Sequence, residues 1–462
     1  NGRRLGSNYR EPARPVRAIT VSDVHVLGQN MLHHAERRRL IIFADNRQDA
    51  AFQAGWMQDH ARRYRLRALM YERIKQGPVS VGDLVAFLDG KLEKDDDLSM
   101  ALVPEVWRAE RKEAAGTKHA EERKYFLRIQ VLRELTNGMR QRIGLEPWGR
   151  MLARYQGLDA QHAFFQQWAH EAGCKPDELA DAAGILLDIA RRTSILFDRA
   201  HQIFTKWWGD GEREVGFGYI QPQQGGPKAL KLEREPSDAG RVQQWLSERG
   251  QTRAVQLARK WGIPDDHVRD FLGGLWKLIV DDFKLIVPVT LRNQWGKAIA
   301  GTAGSSQVDG DLIVIEPRSG VLQCQTCRRT QLRAGPRSAC IQWRCTGSVK
   351  PIAEDPDNYD LHVLDEGFAL IRAREHSAQV PHDEREQIER QFKEDGDAVN
   401  TLVATPTLEL GVDIGSLDSV LMRNVPPLAA NYWQRAGRAG RRHRMAVNLT
   451  YAGAKSHDRA FF

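Results

Sequence analysis

The stretch Thr401–Arg442, TLVATPTLELGVDIGSLDSVLMRNVPPLAANYWQRAGRAGRR, decides the fold class and most of the functional prediction. It opens on a β-branched, apolar run, typical of a buried strand. It ends on Arg435, Arg438 and Arg441, which stand at every third position with small residues between them. On a helix or a tight turn this spacing places two or three guanidinium groups on one side. Guanidiniums held in this way suit the charge that develops on a phosphoryl group during its transfer.

The stretch resembles motifs V and VI of superfamily 2 helicases, with QRAGRAGR present in full. For motif V, the resemblance implies that Thr405 contacts the nucleic-acid backbone. Gly411 would permit close approach, and Asp413 would couple the contact to the nucleotide cleft. The alternative for motif V is an ordinary strand–turn–helix of an α/β sheet.

For motif VI, the same resemblance implies that Arg438 and Arg441 are arginine fingers directed at the γ-phosphate of ATP. Gln434 would lie beside them as part of the catalytic set, and Arg435 would belong to the nucleotide-binding set. The alternative is a basic, solvated helix, because the sequence continues with further basic residues. That alternative leaves the regularly spaced glycines unexplained.

An earlier segment, LIIFADNRQDAAFQAG, predicts a buried strand over Leu40–Phe43 and a helix over Asp49–His60. A strand that turns into a helix N-terminus presents backbone N–H groups suited to a phosphate. The segment resembles motif IV, in the form found in large bacterial helicases that carry a cysteine cluster. The resemblance implies nucleic-acid contacts from Asn46, Arg47 and Gln48.

The same α/β pattern resumes near Leu361, where the sequence predicts a strand over Phe368–Arg372, a polar loop over Glu375–Gln379 and a helix over His382–Lys393. Cysteine-cluster helicases have a similar E-H-[ST]-x-Q loop beside the nucleic acid. The resemblance therefore implies contacts from the three residues His376, Ser377 and Gln379, with serine in place of the more usual threonine.

Roughly three hundred residues separate these two parts of one predicted sheet, which is too many for a loop in a compact domain. The predicted fold is therefore α/β, a RecA-like second helicase lobe interrupted by a folded insertion. We expect five parts. They are the start of the lobe (1–60), a helical insertion (61–236), a winged-helix-like part (237–318), a four-cysteine zinc part (319–352) and the rest of the lobe (353–462).

Apolar periodicity within the insertion predicts two long helices, over Glu105–Arg142 and Asp177–Trp208. Exposed connections are expected at Asp95–Asp97 and Gln221–Gly226.

The winged-helix prediction rests on three short helices followed by a small sheet. The helices are expected over Asp238–Gly250, Thr252–Trp261 and Asp265–Leu278, and the strands over Leu278–Val280, Phe283–Val289 and Asp311–Ile315. The third helix is poor in the Arg, Asn and Gln side chains that read base edges, which favours strand guiding or structural packing. Trp245, Trp261, Trp276 and Trp295 are suited either to base stacking or to the core.

Four cysteines have the spacing C-x2-C, twelve residues, C-x4-C, typical of two knuckles that close on one tetrahedral ion. They are Cys324, Cys327, Cys340 and Cys345. A structural Zn²⁺ is favoured over an iron–sulfur cluster, and a redox dithiol would use two cysteines rather than four. The fifth, Cys174, is predicted to lie in the core. Six basic residues and no acidic one occur between Val321 and Ala353. They either contact DNA or balance the charge of the metal–thiolate centre.

The whole chain has 462 residues, enough for several domains, and its net charge of +8 permits a polyanionic partner without demonstrating one. It contains no apolar run long enough for a membrane span and no signal peptide, so no membrane partner is expected. Clustered cysteines argue for a reducing compartment, and the cytoplasm is the expected location.

The chain opens at Asn1 and contains no phosphate-cradling G-x-x-x-x-G-K-[ST] loop. The only Gly-Lys pairs, at Gly90 and Gly296, lack the following hydroxyl residue and the upstream glycine. The first motor lobe is therefore expected elsewhere in a longer polypeptide, and this part alone is expected to be inactive.

Together these resemblances imply the C-terminal motor lobe of an ATP-dependent DNA helicase or translocase, and the family moves 3′ to 5′ along DNA. The resemblance implies a role in bacterial anti-phage defence or DNA repair, and the long insertion leans toward defence. Expected cofactors are ATP with Mg²⁺, shared with the first lobe, and structural Zn²⁺. Expected partners are DNA with a single-stranded 3′ portion, the first lobe, and other defence or repair subunits. The alternatives are a DNA-binding scaffold with relic motor residues and an RNA helicase.

Overall fold

The computed structural model describes residues 14–103, 116–139, 143–198, 228–247, 250–291, 297–394, 398–409, 414–415, 417–440, 445–453 and 456–461. The helices are α1 (Arg14–His34), α2 (Arg47–Ile74), α3 (Val81–Glu93), α4 (Asp96–Leu102), α5 (Gly116–Leu135), α6 (Ala163–Ala172), α7 (Pro176–Arg191), α8 (Arg253–Lys260), α9 (Val268–Lys277), α10 (Tyr359–Glu366), α11 (His382–Lys393), α12 (Ala429–Ala436) and α13 (Ser456–Phe461).

The strands are β1 (Leu40–Phe43), β2 (Val79–Ser80), β3 (Met151–Tyr155), β4 (Leu196–Phe197), β5 (Ala229–Lys231), β6 (Val242–Gln244), β7 (Ile286–Val289), β8 (Ser305–Asp309), β9 (Ile313–Pro317), β10 (Leu322–Cys324), β11 (Thr330–Gln331), β12 (Val349–Pro351), β13 (Ala373–His376), β14 (Thr401–Ala404), β15 (Ser419–Met422) and β16 (Val447–Thr450). The chain divides into two compact units. The sheet unit comprises Asn1–Ala68, Met100–Leu102 and His362–Phe462, and the insertion unit comprises Leu69–Ser99 and Val103–Leu361.

The sheet unit is built on a five-stranded sheet in the order β13-β14-β1-β15-β16, and every neighbouring pair is parallel. Strand β1 lies at the centre, where Leu40 pairs with Thr401 on one side and Ser419 on the other. All four β1 residues are buried, as expected for a parallel strand covered by helices on both faces. The predicted strands at Leu40–Phe43 and Thr401–Ala404 are confirmed, and so is the α/β fold class.

Alternate residues of β1 supply the two cores of this unit. Leu40 and Ile42 join the cluster that includes residues of α1 and α2, whereas Ile41 and Phe43 join the cluster of α11 and α12. Burying a large aliphatic or aromatic side chain contributes about 1.5–3 kcal/mol. Gly28 allows α1 to approach closely, because a Cβ atom there would lie 3.1 Å from Leu40 Cδ2.

The described residues of the insertion unit form three smaller sheets. Strands β2, β9 and β3 form an antiparallel sheet, and β11, β10 and β12 form another around the cysteine cluster. The third has the order β4-β8-β5-β6, with β7 also paired to β8. None of the helices in the described part of the chain combines the length and the apolar character that a membrane crossing requires.

A buried ionic network ties these insertion elements together. Arg191, which is fully buried, lies 2.7 Å from Glu146 and 2.8 Å from Asp188. Arg333 adds contacts of 3.3 Å to Asp188 and 2.8 Å to Asp181, so the loop after β11 is held against α7. Burial raises the pKa of Asp188, but the neighbouring guanidiniums outweigh it and hold that pKa well below its usual range.

Several predicted elements of the insertion are wrong or differ in extent. The predicted helix Asp238–Gly250 is wrong, since this region holds β6 in parallel with β5. Its apolar residues mimic helical spacing, but the backbone N–H of Trp245 donates to the carbonyls after β5 instead. The predicted strand Leu278–Val280 is also wrong, because Leu278–Asp282 forms a π-helical turn that follows α9. The first helix of the predicted winged helix is therefore not formed, and the winged-helix arrangement of the remaining elements stays a prediction.

Other boundaries shift for local reasons. The expected exposed connection at Asp95–Asp97 is confirmed in its exposure but is shorter, because α4 begins at Asp96 and Asp95 caps it by accepting from the N–H of Leu98 at 2.8 Å. The second long helix ends at Arg191, followed by Ser194 in the left-handed region (φ +67°) and by β4. Cys174 is half-buried in the turn between α6 and α7 rather than in the core.

The remaining boundaries are as follows. Helix α2 begins before Asp49 and runs beyond His60, and the described part of the first long helix is α5. Strands β7 and β9 fall within or beside their predicted ranges. Trp245 and Trp261 are buried, as the core alternative expects, and Trp276 is half-buried. Trp295 and Gln221–Gly226 lie outside the described residues.

The strand predicted at Phe368–Arg372 lies further along the chain, at Ala373–His376. The side chain of Asn400 explains the shift. Its Nδ2 donates to the carbonyl of Leu370 and its Oδ1 accepts from the N–H of Arg372, both at 2.8 Å. These side-chain bonds take the place of a strand ladder, so pairing starts only at Ala373. Helix α11 has the predicted bounds.

Candidate functional site

Four neighbouring strands of the sheet unit end at one edge, and three sequence-predicted groups follow those ends. Because the strands are parallel, β13, β14, β1 and β15 all present their carboxyl ends on the same side. Backbone bonds connect the chain just beyond them. The N–H of Thr405 donates to His376 O at 3.3 Å, and the N–H of Arg423 donates to Phe43 O at 3.0 Å. In open α/β sheets, ligands bind outside this edge.

Two exposed side chains lie at the beginning of α2, directly after the loop that follows β1. Asn46 accepts from the N–H of Asp49 at 2.8 Å and donates to its carboxylate at 2.9 Å, so Asn46 stabilises the start of α2. Arg47 and Gln48 are exposed. The geometry thus leaves Arg47 and Gln48 as the members of this group that can reach a ligand without rearrangement.

Strand β13 carries part of the segment that was predicted to be a loop. His376 is buried, and its Nε2 lies 2.8 Å from the carboxylate of Glu389 on α11. Ser377 is also buried, and its hydroxyl donates to the carboxylate of Glu375. Gln379 is exposed. Nucleic-acid contact by these residues stays a prediction, with Gln379 the accessible one of the predicted three.

Thr405 follows β14 directly and is 3% exposed. A 3-10 turn, Pro406–Glu409, comes next. The other predicted residues of this motif, Gly411 and Asp413, lie outside the described residues, and their predicted roles stay predictions.

Helix α12 and the turn after it carry the predicted arginines. Gln434 is exposed, whereas Arg435 and Arg438 are only 2% and 3% exposed. Arg435 Nη1 lies 3.3 Å from Asp45 Oδ1, and its guanidinium carbon is 5.4 Å from the centre of the Phe43 ring. Arg438 lies in the turn, where its N–H donates to the carbonyl of Arg435 at 3.1 Å. Arg441 lies outside the described residues.

Sequence reasoning missed Arg423. This side chain is 1% exposed, directly follows β15, and lies 3.1 Å from the carboxylate of Asp49 on α2. This ion pair and the Arg435–Asp45 pair involve residues that follow the neighbouring strands β15 and β1. The signal was available, because a charged residue directly after a buried run at a strand end often belongs to a site.

The four predicted cysteines form a compact sulfur cluster in the insertion unit. Cys324 Sγ lies 3.7 Å from Cys345 Sγ, Cys327 Sγ lies 3.6 Å from Cys340 Sγ, and all four atoms are within 4.8 Å of one another. Tetrahedral zinc with Zn–S bonds of about 2.3 Å requires sulfur separations of roughly 3.8 Å. The donor set and its spacing therefore fit one tetrahedral metal ion.

Backbone N–H groups donate to the sulfur atoms of Cys324 and Cys340. Burial raises the pKa of the Cys324 thiol, but N–H donors from Cys327 and Thr326 outweigh it and lower that pKa to about 6. The N–H of Gln342 donates to Cys340 Sγ at 3.4 Å, but burial outweighs this bond and raises the pKa of the Cys340 thiol. Gly347 is required here, because a Cβ atom would lie 2.8 Å from Cys324 Sγ.

Comparison with known proteins finds a helicase family model that matches residues lying mostly in the sheet unit. Residues 357–443 match the family model described as the helicase conserved C-terminal domain. The chain carries the C-terminal lobe of a superfamily 2 helicase. The matched residues contain β13, β14, β15, α11 and α12, the elements that frame the carboxyl edge.

Two curated relatives and one solved structure illustrate the similarity. The Druantia protein DruE of Escherichia coli is 32% identical over 166 residues, 30% of this chain and 9% of that protein. The uncharacterized ATP-dependent helicase YprA of Bacillus subtilis is 45% identical over 75 residues, 16% of this chain and 10% of that protein. The DUF1998 helicase MrfA, solved with DNA and AMPPNP, is 33% identical, with a TM-score of 0.19 over 22% of this chain and 14% of that chain. The chain thus spans about a tenth of the length of these curated relatives.

Proposed function

We propose that this chain is the C-terminal motor lobe of an ATP-dependent 3′–5′ DNA helicase or translocase that acts in bacterial anti-phage defence or DNA repair. The observation that carries the proposal is the convergence of motifs IV, V and VI on one edge of the parallel sheet. Residues near positions 47, 405 and 438 lie far apart in sequence, and the strand order brings their elements to neighbouring positions.

In the proposed motor, this lobe contributes arginines directed at the γ-phosphate and loops that hold the nucleic-acid strand. From the resemblance to motif VI, we assign Arg438 and Arg441 as the pair directed at the γ-phosphate, with Gln434 beside them. A permanently charged guanidinium stabilises the charge that spreads over the phosphoryl oxygens during hydrolysis. ATP with Mg²⁺ would be held jointly with a first lobe, which supplies the phosphate loop.

The nucleic-acid side of the site is assigned to the loops at the same edge. Arg47, Gln48 and Gln379 are exposed there, and Thr405 marks the end of β14. Lobe closure around nucleotide would change the grip of these loops on the backbone and so move the strand. YprA, whose name describes it as an ATP-dependent helicase, supports the ATP requirement. The defence role rests on the length of the insertion.

The test uses the full-length protein. DNA-stimulated ATP hydrolysis should fall by about 10³-fold or more in Arg438→Ala, while DNA binding changes little. Arg269→Ala is the matched control, because Arg269 is an exposed arginine of α9 in the insertion unit. Unchanged turnover in Arg438→Ala would reject the motor and leave the DNA-binding scaffold.

A second measurement separates DNA from RNA. Matched DNA and RNA strands with 3′ or 5′ overhangs should compete for the full-length protein, and we expect preference for DNA with a 3′ overhang. Stimulation by RNA alone would assign an RNA helicase instead.

A further inference from the structure

We propose that the second zinc knuckle, Cys340–Cys345, is a stacking platform for an unpaired base of single-stranded DNA, with Trp343 as the stacking side chain. The inference rests on the proposed function for the choice of DNA as ligand. It concerns a surface that the helicase motifs do not include. The platform is defined as Trp343 with the exposed cations Arg328, Arg329, Arg344 and Lys350.

Trp343 is one of the few large apolar side chains that the described residues leave open. It is 46% exposed, at the tip of the knuckle between two cysteines of the cluster. Such an exposed indole, directly beside an exposed arginine, offers an aromatic face that a base can cover. Aromatic faces of this kind stack on bases with little sequence preference.

The knuckle is held rigidly by three side chains of α8. Arg253 Nη2 donates to the carbonyl of Ile341 at 3.0 Å. Lys260 Nζ donates to the carbonyls of Cys340 and Gln342 at 3.0 and 2.9 Å, and Gln256 Oε1 accepts from the N–H of Arg344 at 3.0 Å. With the sulfur cluster, these bonds fix the backbone on both sides of Trp343. A side chain presented by a fixed backbone loses less entropy when a ligand binds.

The first knuckle adds positive charge directly beside the platform. Arg329 Nη1 donates to Gln342 Oε1 at 2.6 Å, so this guanidinium lies next to the residue that precedes Trp343. Arg328, Arg344 and Lys350 are also exposed, and the sequence from Val321 to Ala353 has no acidic residue. A polyanion whose bases are unpaired matches both features, because its phosphates bind the cations and one of its bases stacks on the indole.

Charge balance for the metal does not account for these cations. A zinc ion with four thiolates carries a net charge of about −2. Lys260 is half-buried, feels the charge of Cys340, Cys345 and Cys324, and is tied to the knuckle by two bonds. It already supplies one compensating charge, whereas the four cations of the platform extend into solvent. Arg333, which looks similar in sequence, is excluded because it is buried against Asp181 and Asp188.

The test measures binding of a fluorescent oligo-dT strand to the intact 462-residue chain. Trp343→Ala should weaken binding by roughly 5- to 150-fold, the loss of one base stack, and Trp343→Phe should retain most of the affinity. The double variant Arg328→Gln/Arg329→Gln should reduce the slope of log affinity against log salt by about 1.4, because each lost phosphate contact on a single strand contributes about 0.7. Arg269→Gln, an exposed arginine of α9 paired with Glu233, is the control and should bind as the parent does.

Zinc content is measured for every variant, so that loss of the knuckle is separated from loss of stacking. If the parent chain binds oligo-dT and Trp343→Ala, with its zinc retained, binds within two-fold of it, the platform is rejected while the helicase proposal stands. If the parent chain itself does not bind single-stranded DNA, the platform is rejected, and the ATP hydrolysis of the full-length protein decides the proposed function separately. Tighter binding of the matched RNA strand would reject the choice of DNA.

Discussion

Arg435 and Asp45 form an ion pair 390 positions apart in sequence, with Nη1 3.3 Å from Oδ1. Asp45 follows the central strand β1, and Arg435 lies in the last turn of α12, over the ring of Phe43. The pair therefore connects the helix that carries the helicase arginines to the end of the central strand. In the described structure, Arg435 therefore has a supporting role.

We predict that Arg435→Ala destabilises the sheet unit by about 2–4 kcal/mol, because it removes a buried cation from a partly exposed carboxylate. Urea unfolding of the 462-residue chain measures the change. Arg47→Ala removes an exposed arginine near the same strand end and should stay within about 0.5 kcal/mol of the parent. Equal stability of the two variants would contradict a supporting role for Arg435.

The sequence was sufficient to predict strands β1 and β14 and the four-cysteine cluster, because these signals are local. Strand β1 is an uninterrupted apolar run, and the cysteines have a spacing that a single ion can close. The strand at Ala373–His376 was misplaced, because its start depends on Asn400, a residue from the beginning of the neighbouring strand. A helix was predicted over β6 because Val242, Trp245 and Leu246 also fit helical spacing.

The candidate site was less predictable, because its charges are paired over long distances. Nothing near Arg435 in sequence indicates that Asp45 neutralises it, and nothing near Asp49 indicates Arg423. The burial of His376 likewise depends on Glu389, which becomes a neighbour only when α11 packs beside β13. Motif spacing identified the candidate residues but not which of them are occupied by local partners.

The metal centre gives a prediction about Gly347. Gly347→Ala should weaken zinc binding by about 10-fold or more, because the added Cβ would lie 2.4 Å from Thr326 Oγ1 and 2.8 Å from Cys324 Sγ. Zinc release to a chromogenic chelator measures the affinity.

Gly273 provides the matched control for that substitution. It lies in α9, and a Cβ there would meet nothing within 4 Å. Gly273→Ala should keep its zinc and stabilise the helix by about 0.5–1 kcal/mol. Equal zinc retention by the two alanine variants would show that the space around Cys324 is not restrictive.

The buried network of the insertion unit gives a prediction about Arg333. Arg333→Ala should cost about 3–5 kcal/mol, because the buried Asp188 loses a guanidinium that is buried with it and Asp181 loses an ion-pair partner. The low pKa of Asp188 should also rise. Its stabilising effect, present above its unfolded pKa near 4 and lost as pH falls through the folded value, would then disappear at a higher pH.

Thermal unfolding between pH 7 and pH 3 measures both effects of Arg333→Ala. Arg337→Ala is the control, since Arg337 belongs to the same loop, is exposed and makes one bond of 3.3 Å to the carbonyl of Ala172. An acid midpoint for Arg333→Ala equal to that of Arg337→Ala would show that Asp188 does not depend on Arg333.

The histidines of the sheet unit predict a second, separate pH dependence. His25 and His60 make an edge-on ring contact at 4.8 Å, and Trp56 stacks on His60 at 4.5 Å. Burial lowers the pKa of His25 to about 3 and that of His60 to about 4, with the charges of Arg67 and Arg63 adding to the effect on His60. Above pH 6.5 both residues are neutral in the folded and unfolded states, so neither costs stability there.

As pH falls below 6.5, the two histidines bind protons in the unfolded chain but not in the folded chain. The stability therefore decreases until the pH reaches the pKa values of the histidines in the folded chain. Each histidine should cost about 2 kcal/mol by pH 5, from about 1.4 kcal/mol per unit of pKa difference. The variant His25→Leu/His60→Phe should therefore lose less stability than the parent between pH 7.5 and pH 5 in urea unfolding, whereas the exposed His382→Gln should follow the parent. Because carboxylates titrate alike in all three proteins, parallel pH profiles would mean that the two imidazoles are protonated in the folded chain as readily as in the unfolded one.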